Sequence, residues 1–130
     1  MWHLDTDTVV AFLRGNQRIA NRLKELVPEV AISSLVLAEL LYGARASARV
    51  SANLARVNQF MQVVHLAQFD RAGADAYSQL QVALRRRGCP TGGIDALIAA
   101  TALANDAILV THNTRHYENI DGLTLDDWMA

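Results

Sequence analysis

Two stretches of this chain are apolar around a full helical circumference, and each holds a single acid. Residues 35–42 read Leu-Val-Leu-Ala-Glu-Leu-Leu-Tyr, and residues 94–104 read Ile-Asp-Ala-Leu-Ile-Ala-Ala-Thr-Ala-Leu-Ala. A helix with apolar side chains on every side belongs between other layers of structure rather than on a surface. A carboxylate inside such a helix is costly unless a cation or several hydrogen-bond donors meet it. Asp95 falls in the first helical turn, where the helix dipole returns roughly 0.3–1 kcal/mol. Glu39 lies mid-helix, beyond the reach of dipole or cap. It calls for an arginine or a metal ion.

The remaining pattern says what packs around these helices. Short apolar segments at residues 1–4, 30–33, 63–66 and 107–111 read as strands, and residues 123–125 as a last edge strand. Between them lie helices: about 8–14, capped by Thr6, Asp7 or Thr8, and 19–27, stopped by Pro28. A third, capped by Ser33 or Ser34, is closed by Gly43. A helix striped by Leu54, Val57, Phe60 and Met61 follows, then one from Asp70 to Arg87, then 94–104. Strands separated by helices imply βαβ units. The expected fold is therefore α/β: a central parallel sheet of four to five short strands with helices on both faces, residues 1–130 forming one domain.

Composition narrows the setting. No apolar run reaches the roughly 18 residues of a membrane span, and no signal-peptide pattern opens the chain. Cys89 is alone, so no internal disulfide forms, and a cytoplasmic protein is expected. Net charge is −1, with eleven of the twelve basic residues arginine. The one basic run, Arg85-Arg86-Arg87, suits either the dipole at a helix C-terminus or a phosphate contact.

In open α/β sheets the functional crevice lies beyond the carboxyl ends of the strands. Asp5 directly follows the first strand, Asn113 follows the last long one, and Glu39 lies one to two turns into the helix leaving the second. Asp95 opens the helix that leads into the last long strand, and the pattern alone does not bring it back to that edge. Acids and an amide meeting there would make an oxygen-rich pocket suited to Mg²⁺ or Mn²⁺. Phosphodiester hydrolysis is the chemistry such a pocket supports.

Four segments in register carry a resemblance: Leu4-Asp5-Thr6, Glu39-Leu-Leu-Tyr-Gly43, Gly93-Ile-Asp95-Ala-Leu-Ile-Ala-Ala100, and Val110-Thr-His-Asn113-Thr-Arg-His-Tyr117. Together they resemble the PIN domain, and more narrowly the VapC toxins of bacterial toxin–antitoxin pairs. The resemblance implies an endoribonuclease with Mg²⁺ or Mn²⁺ as cofactor, acting on tRNA or ribosomal RNA and leaving a 3′-hydroxyl. It implies Asp5, Asp95 and Glu39 as metal ligands, with Asn113 completing the catalytic set where many relatives carry Asp. Asp7 or Glu118 would be the spare carboxylate replacing that missing charge. Thr6 and Thr111 would orient carboxylates, and Arg115 and His116 would touch RNA. A homodimer and a cognate VapB-type antitoxin are the implied partners.

Two other readings share the opening Asp5-Thr-Asp-Thr-Val-Val. A haloacid-dehalogenase-like phosphatase would use Asp5 as nucleophile and Asp7 as acid, but needs a lysine after the second strand, and Lys24 precedes it. A phospho-acceptor receiver domain needs a lysine where this chain has Thr111-His112. His112 and His116, four apart in a loop, lack the third ligand a zinc site requires.

Overall fold

The computed structural model describes all residues, 1–130. Its elements run β1 (Trp2–Leu4), α1 (Thr6–Leu13), α2 (Gln17–Leu26), β2 (Val30–Ser33), α3 (Ser34–Arg45), α4 (Val50–Met61), β3 (His65–Ala67), α5 (Arg71–Arg86), α6 (Gly93–Ala104), β4 (Ile108–Val110) and β5 (Leu125–Asp126). The strands pair in the order β3-β2-β1-β4-β5, every pair parallel. Trp2 stands opposite Val30 on one side and Ile108 on the other. From β1 the chain builds outward to β2 and β3, then crosses back to add β4 and β5. The topological switch point therefore lies between β1 and β4, whose carboxyl ends release Asp5 and Thr111.

Strand composition follows from position. In the three central strands Leu4, Val30, Ile32, Leu109 and Val110 are all fully buried, as expected of strands covered on both faces. Helix α6 meets the expectation drawn from its sequence: Ala96, Ile98, Ala99, Ala100, Thr101 and Ala102 are buried. Its small side chains allow close packing, and the hydroxyl of Thr101 is satisfied by the Leu97 carbonyl at 2.9 Å.

Helix α3 does not meet that expectation. It buries only Val36, Leu40 and Ala44, while Tyr42 is 76% exposed. No element of this chain covers its outer side, so an apolar circumference did not guarantee burial. The helix also runs through Gly43 to Arg45 instead of stopping there.

Side-chain caps set four helix starts. Asp5, Asn16, Ser33 and Asp70 accept from the backbone N–H groups of Thr8, Ile19, Val36 and Gly73. The cap of α1 is thus Asp5 itself, one residue earlier than expected. Gly88, at φ +69°, takes the left-handed turn that ends α5. The third strand sits two residues later than its apolar run suggested, because Val63 and Val64 close the turn after α4. The edge strand β5 begins at Leu125, where Leu109 and Val110 find parallel partners.

His3 is the anomaly of the core. It lies mid-strand in β1, 2% exposed, with neither ring nitrogen hydrogen-bonded. Desolvation first, and then the charge of the amino terminus, push its pKa down from 6.5 to about 4. The unfolded chain therefore binds a proton at His3 between those two values while the folded chain does not, so stability falls as pH drops through that window. For His3→Leu, urea denaturation between pH 7 and 4 should show a loss smaller than the parent's by about 3 kcal/mol. Parallel losses in the two proteins would mean that the imidazole is not held neutral.

Candidate active site

At the switch point the chain forms a small open cleft lined by Asp5, Thr6, Asp7, Glu39, Asp95, Asn113, His116 and Tyr117. These come from four separate segments: the start of α1, the middle of α3, the first turn of α6, and the loop after β4. The loop return that the sequence did not dictate for Asp95 is supplied by the parallel crossover from α5. That crossover starts α6 at the carboxyl edge of the sheet. Four carboxylates share the cleft, and no arginine or lysine lines it.

Asp5 is the most constrained of them. Its backbone N–H donates to the Val110 carbonyl at 3.0 Å, tying the end of β1 to the end of β4. Its Oδ1 accepts from Thr8 N–H at 2.9 Å, capping α1. The residue is only 6% exposed. Burial raises the pKa of its carboxyl, bonds from Thr111 and Thr8 work against that rise, and the charge of Asp7 adds to it. Burial is the larger effect. An ionised Asp5 is thus held where the fold alone disfavours it.

The other carboxylates are tethered at their tips. Thr6 Oγ1 donates to Glu39 Oε1 at 2.5 Å, so the hydroxyl orients Glu39 across two helices. No arginine pairs with Glu39, which excludes the buried ion pair that its sequence position left open. Asp95 Oδ2 meets His116 Nε2 at 2.8 Å, with both side chains little more than a third exposed. His116 in turn stands edge-on to Tyr117, ring centroids 5.3 Å apart.

Tyr117 is the residue that the sequence reading did not single out. It is 3% exposed, and its hydroxyl is held protonated, far above the ordinary phenol value. Burial is the main cause, followed by the negative charges of Asp95 and Asp5, with a hydrogen bond to Asp95 and the charge of Glu39 after them. Its signal was an aromatic in an otherwise polar loop after a strand.

Of the other residues singled out, Thr111 favours the charged form of Asp5, and its Oγ1 accepts from Asn113 N–H at 3.1 Å. Asp7 lines the cleft; Glu118 and Arg115 do not. Glu118 thus lies outside the cleft that Asn113 lines, while Asp7 lies within it. His112 turns away to Asp127 at 3.0 Å, so the two loop histidines do not form a pair. Lys24 is an exposed residue of α2 outside the cleft, which removes the phosphate-holding lysine that a phosphatase needs.

The donor set is oxygen-rich and anionic and has no basic side chain of its own beyond one imidazole, which fits a hard divalent cation. The side chains converge without forming a closed cage, however. No three His, Cys, Asp or Glu groups are already drawn together as a ready-made metal site. Mutual repulsion spreads like charges, and two of them are tethered by partners that also line the cleft, Glu39 by Thr6 and Asp95 by His116.

Comparison with known proteins agrees with this geometry. The family model described as PIN domain matches residues 3–123. The chain is 38% identical over 126 residues to the tRNA(fMet)-specific endonuclease VapC of Shigella flexneri, covering 96% of each. It is 35% identical to Ribonuclease VapC2 of Rickettsia felis, covering 98% of each. Its fold superposes on the DNA-bound VapBC structure from Salmonella typhimurium with a TM-score of 0.94 at 33% identity, covering 98% of this chain and 97% of that one.

The conflict at Asp5 has a measurable consequence. Asp5→Asn keeps an oxygen that can cap α1 but removes the buried charge, so in EDTA it should melt above the parent at neutral pH. Asp5→Ala loses the cap as well and should be less stable than Asp5→Asn by about 1 kcal/mol. If Asp5→Asn melts below the parent in thermal scans, the carboxylate is not strained in the free protein.

Proposed function

The chain belongs to the PIN-domain family, in its VapC branch, and from that premise we propose that it is a metal-dependent endoribonuclease, the toxin of a bacterial toxin–antitoxin pair. One observation carries the metal-dependent part: four carboxylates from three distant segments share a cleft at the sheet's switch point, with no arginine or lysine beside them. Asp5, Asp95 and Glu39 are the residues that would hold Mg²⁺ or Mn²⁺, with Asn113 offering an uncharged oxygen. When bound, such an ion lowers the pKa of water and offsets charge that builds on the phosphodiester.

The remaining work falls to the protein's own groups. Thr8 N–H fixes the direction of Asp5, and the bonds from Thr8 and Thr111 offset part of the cost of its charge, so one rigid carboxylate anchors the site. Thr6 holds Glu39 toward the cleft. His116 pairs with Asp95, and the buried Tyr117 hydroxyl, held protonated, faces the charges of Asp95 and Asp5. His116 lines the cleft and exposed Arg115 precedes it in the chain, and the two would donate to phosphate oxygens of the RNA. In the reaction, water adds at phosphorus and the P–O3′ bond breaks, leaving a 3′-hydroxyl and a 5′-phosphate.

The relative from Shigella flexneri is specific for tRNA(fMet) by its name, which makes tRNA the first substrate to test. The VapBC assemblies among its structural relatives support a VapB-type antitoxin as the partner. A homodimer working in the cytoplasm completes the reading, and no helix is long and apolar enough to cross a membrane.

Purified protein should cleave tRNA in Mg²⁺ or Mn²⁺, stop in excess EDTA, and resume when the metal is returned. Asp95→Asn should abolish cleavage, by about a thousand-fold or more, while its circular dichroism and melting stay native. Cleavage that persists in EDTA, or an Asp95→Asn protein as active as its parent, would sink this assignment.

A further inference from the structure

Of the three arginines that end α5, only Arg87 has a partner. Its guanidinium donates to the Asn119 carbonyl at 2.8 Å and pairs with Asp121 at 3.2 Å. Arg85 and Arg86 are exposed and pair with no acid. Arg85 also walls a surface groove of about 580 Å³ between α5 and the loop that leads into α6. Along α5 the groove is lined by Tyr77, Gln81 and Arg85, spaced i, i+4 and i+8, so they form a single stripe. Pro90 and Thr91 close the opposite side.

No acid lines this groove, in direct contrast to the cleft. The two are neighbours along the chain, because Thr91 precedes Asp95 by four residues and an extended segment of that length spans at most about 14 Å. A polyanion entering a cleft of four carboxylates meets a repulsive field, and unpaired cations beside it would offset that repulsion. The stripe also combines three chemistries that single-stranded nucleic acid uses: an aromatic face, an amide and a guanidinium. A subunit interface is the poorer fit, since Val82 and Pro90 are the only aliphatic side chains in the lining.

We propose that the Tyr77–Gln81–Arg85 groove is an RNA-binding surface that holds a single-stranded segment of the substrate as it leaves the acidic cleft. A base stacks on the Tyr77 ring, the Gln81 amide meets a base edge, and Arg85 and Arg86 fork onto phosphates. This rests on the ribonuclease reading given above, and it assigns the arginine run a task beyond the helix dipole.

The test is fluorescence anisotropy with a fluorescein-labelled, unstructured RNA of about a dozen nucleotides, in EDTA so that nothing is cleaved. Arg85→Ala/Arg86→Ala should weaken binding about ten-fold and flatten the slope of log K against log salt by about 1.4. Arg71→Ala removes the same kind of exposed charge from the other end of α5, about 20 Å away, and should leave affinity unchanged. Tyr77→Leu should weaken binding about five-fold or more, whereas Tyr77→Phe keeps the stacking face and the affinity.

The proposal is overturned if the double arginine variant binds like the parent, if Arg71→Ala weakens binding equally, or if the double variant changes oligomeric state on gel filtration. Cleavage by the parent is scored separately. Groove-dependent binding without any cleavage would overturn the nuclease reading and leave the groove standing; cleavage with groove-independent binding would do the reverse.

Discussion

The structure turns on one carboxylate placed where two demands meet. Asp5 ends the central strand, caps the first helix and projects into the crevice at the switch point. Its backbone bond to Val110 fastens the ends of β1 and β4, so the cap, the strand pair and the cleft share one residue. As a cap it could be asparagine or serine with little loss. As a buried charge beside Asp7 it is a liability to the free protein. A residue whose charge the fold does not need, yet whose position the fold fixes so tightly, is the mark of a site that stores unfavourable electrostatics for a ligand to relieve.

That electrostatic layout has a second half. Four acids lie inside the cleft, and three unpaired arginines line neighbouring grooves. Arg14 and Arg56 flank a separate groove that shares Glu39 with the cleft, and Arg85 stands beyond the loop before α6. A net charge of −1 conceals this separation, because the two signs are sorted in space and not in number. A negative floor with positive surroundings suits a substrate that is itself a chain of phosphates, only one of which must reach the metal site.

Much of this was legible in the sequence because it depended on local rules. Strand–helix alternation gave the parallel sheet, Ser33 and Asp70 announced two helix starts, and residues 94–104 read as a buried helix, one residue short of the observed start at Gly93. What failed depended on what lies opposite an element. Helix α3 looks like a core helix, yet one side of it faces solvent, since periodicity records what a helix could bury and not whether this chain supplies a cover. Glu39 was accordingly priced as a buried charge, when it is a half-exposed one held by Thr6. Tyr117 escaped notice because its importance lies in its contacts with Asp95 and His116, brought together across the fold.

The least legible feature was Asp95, and it shows how topology completes chemistry. Taken from the sequence, it opens a helix that feeds a strand whose far end holds Asn113, so the two positions appear to lie at opposite ends of one unit. In a parallel sheet every strand begins at the amino edge, and α6, which feeds β4 directly, therefore ends there and has its first turn at the carboxyl edge. The first turn of α6 and the last residue of β4 are neighbours by construction. The same reasoning explains Glu39, one turn and a half into α3 at that same edge. The acids converge because the parallel crossover repeats, and the helices that carry them enter the same crevice.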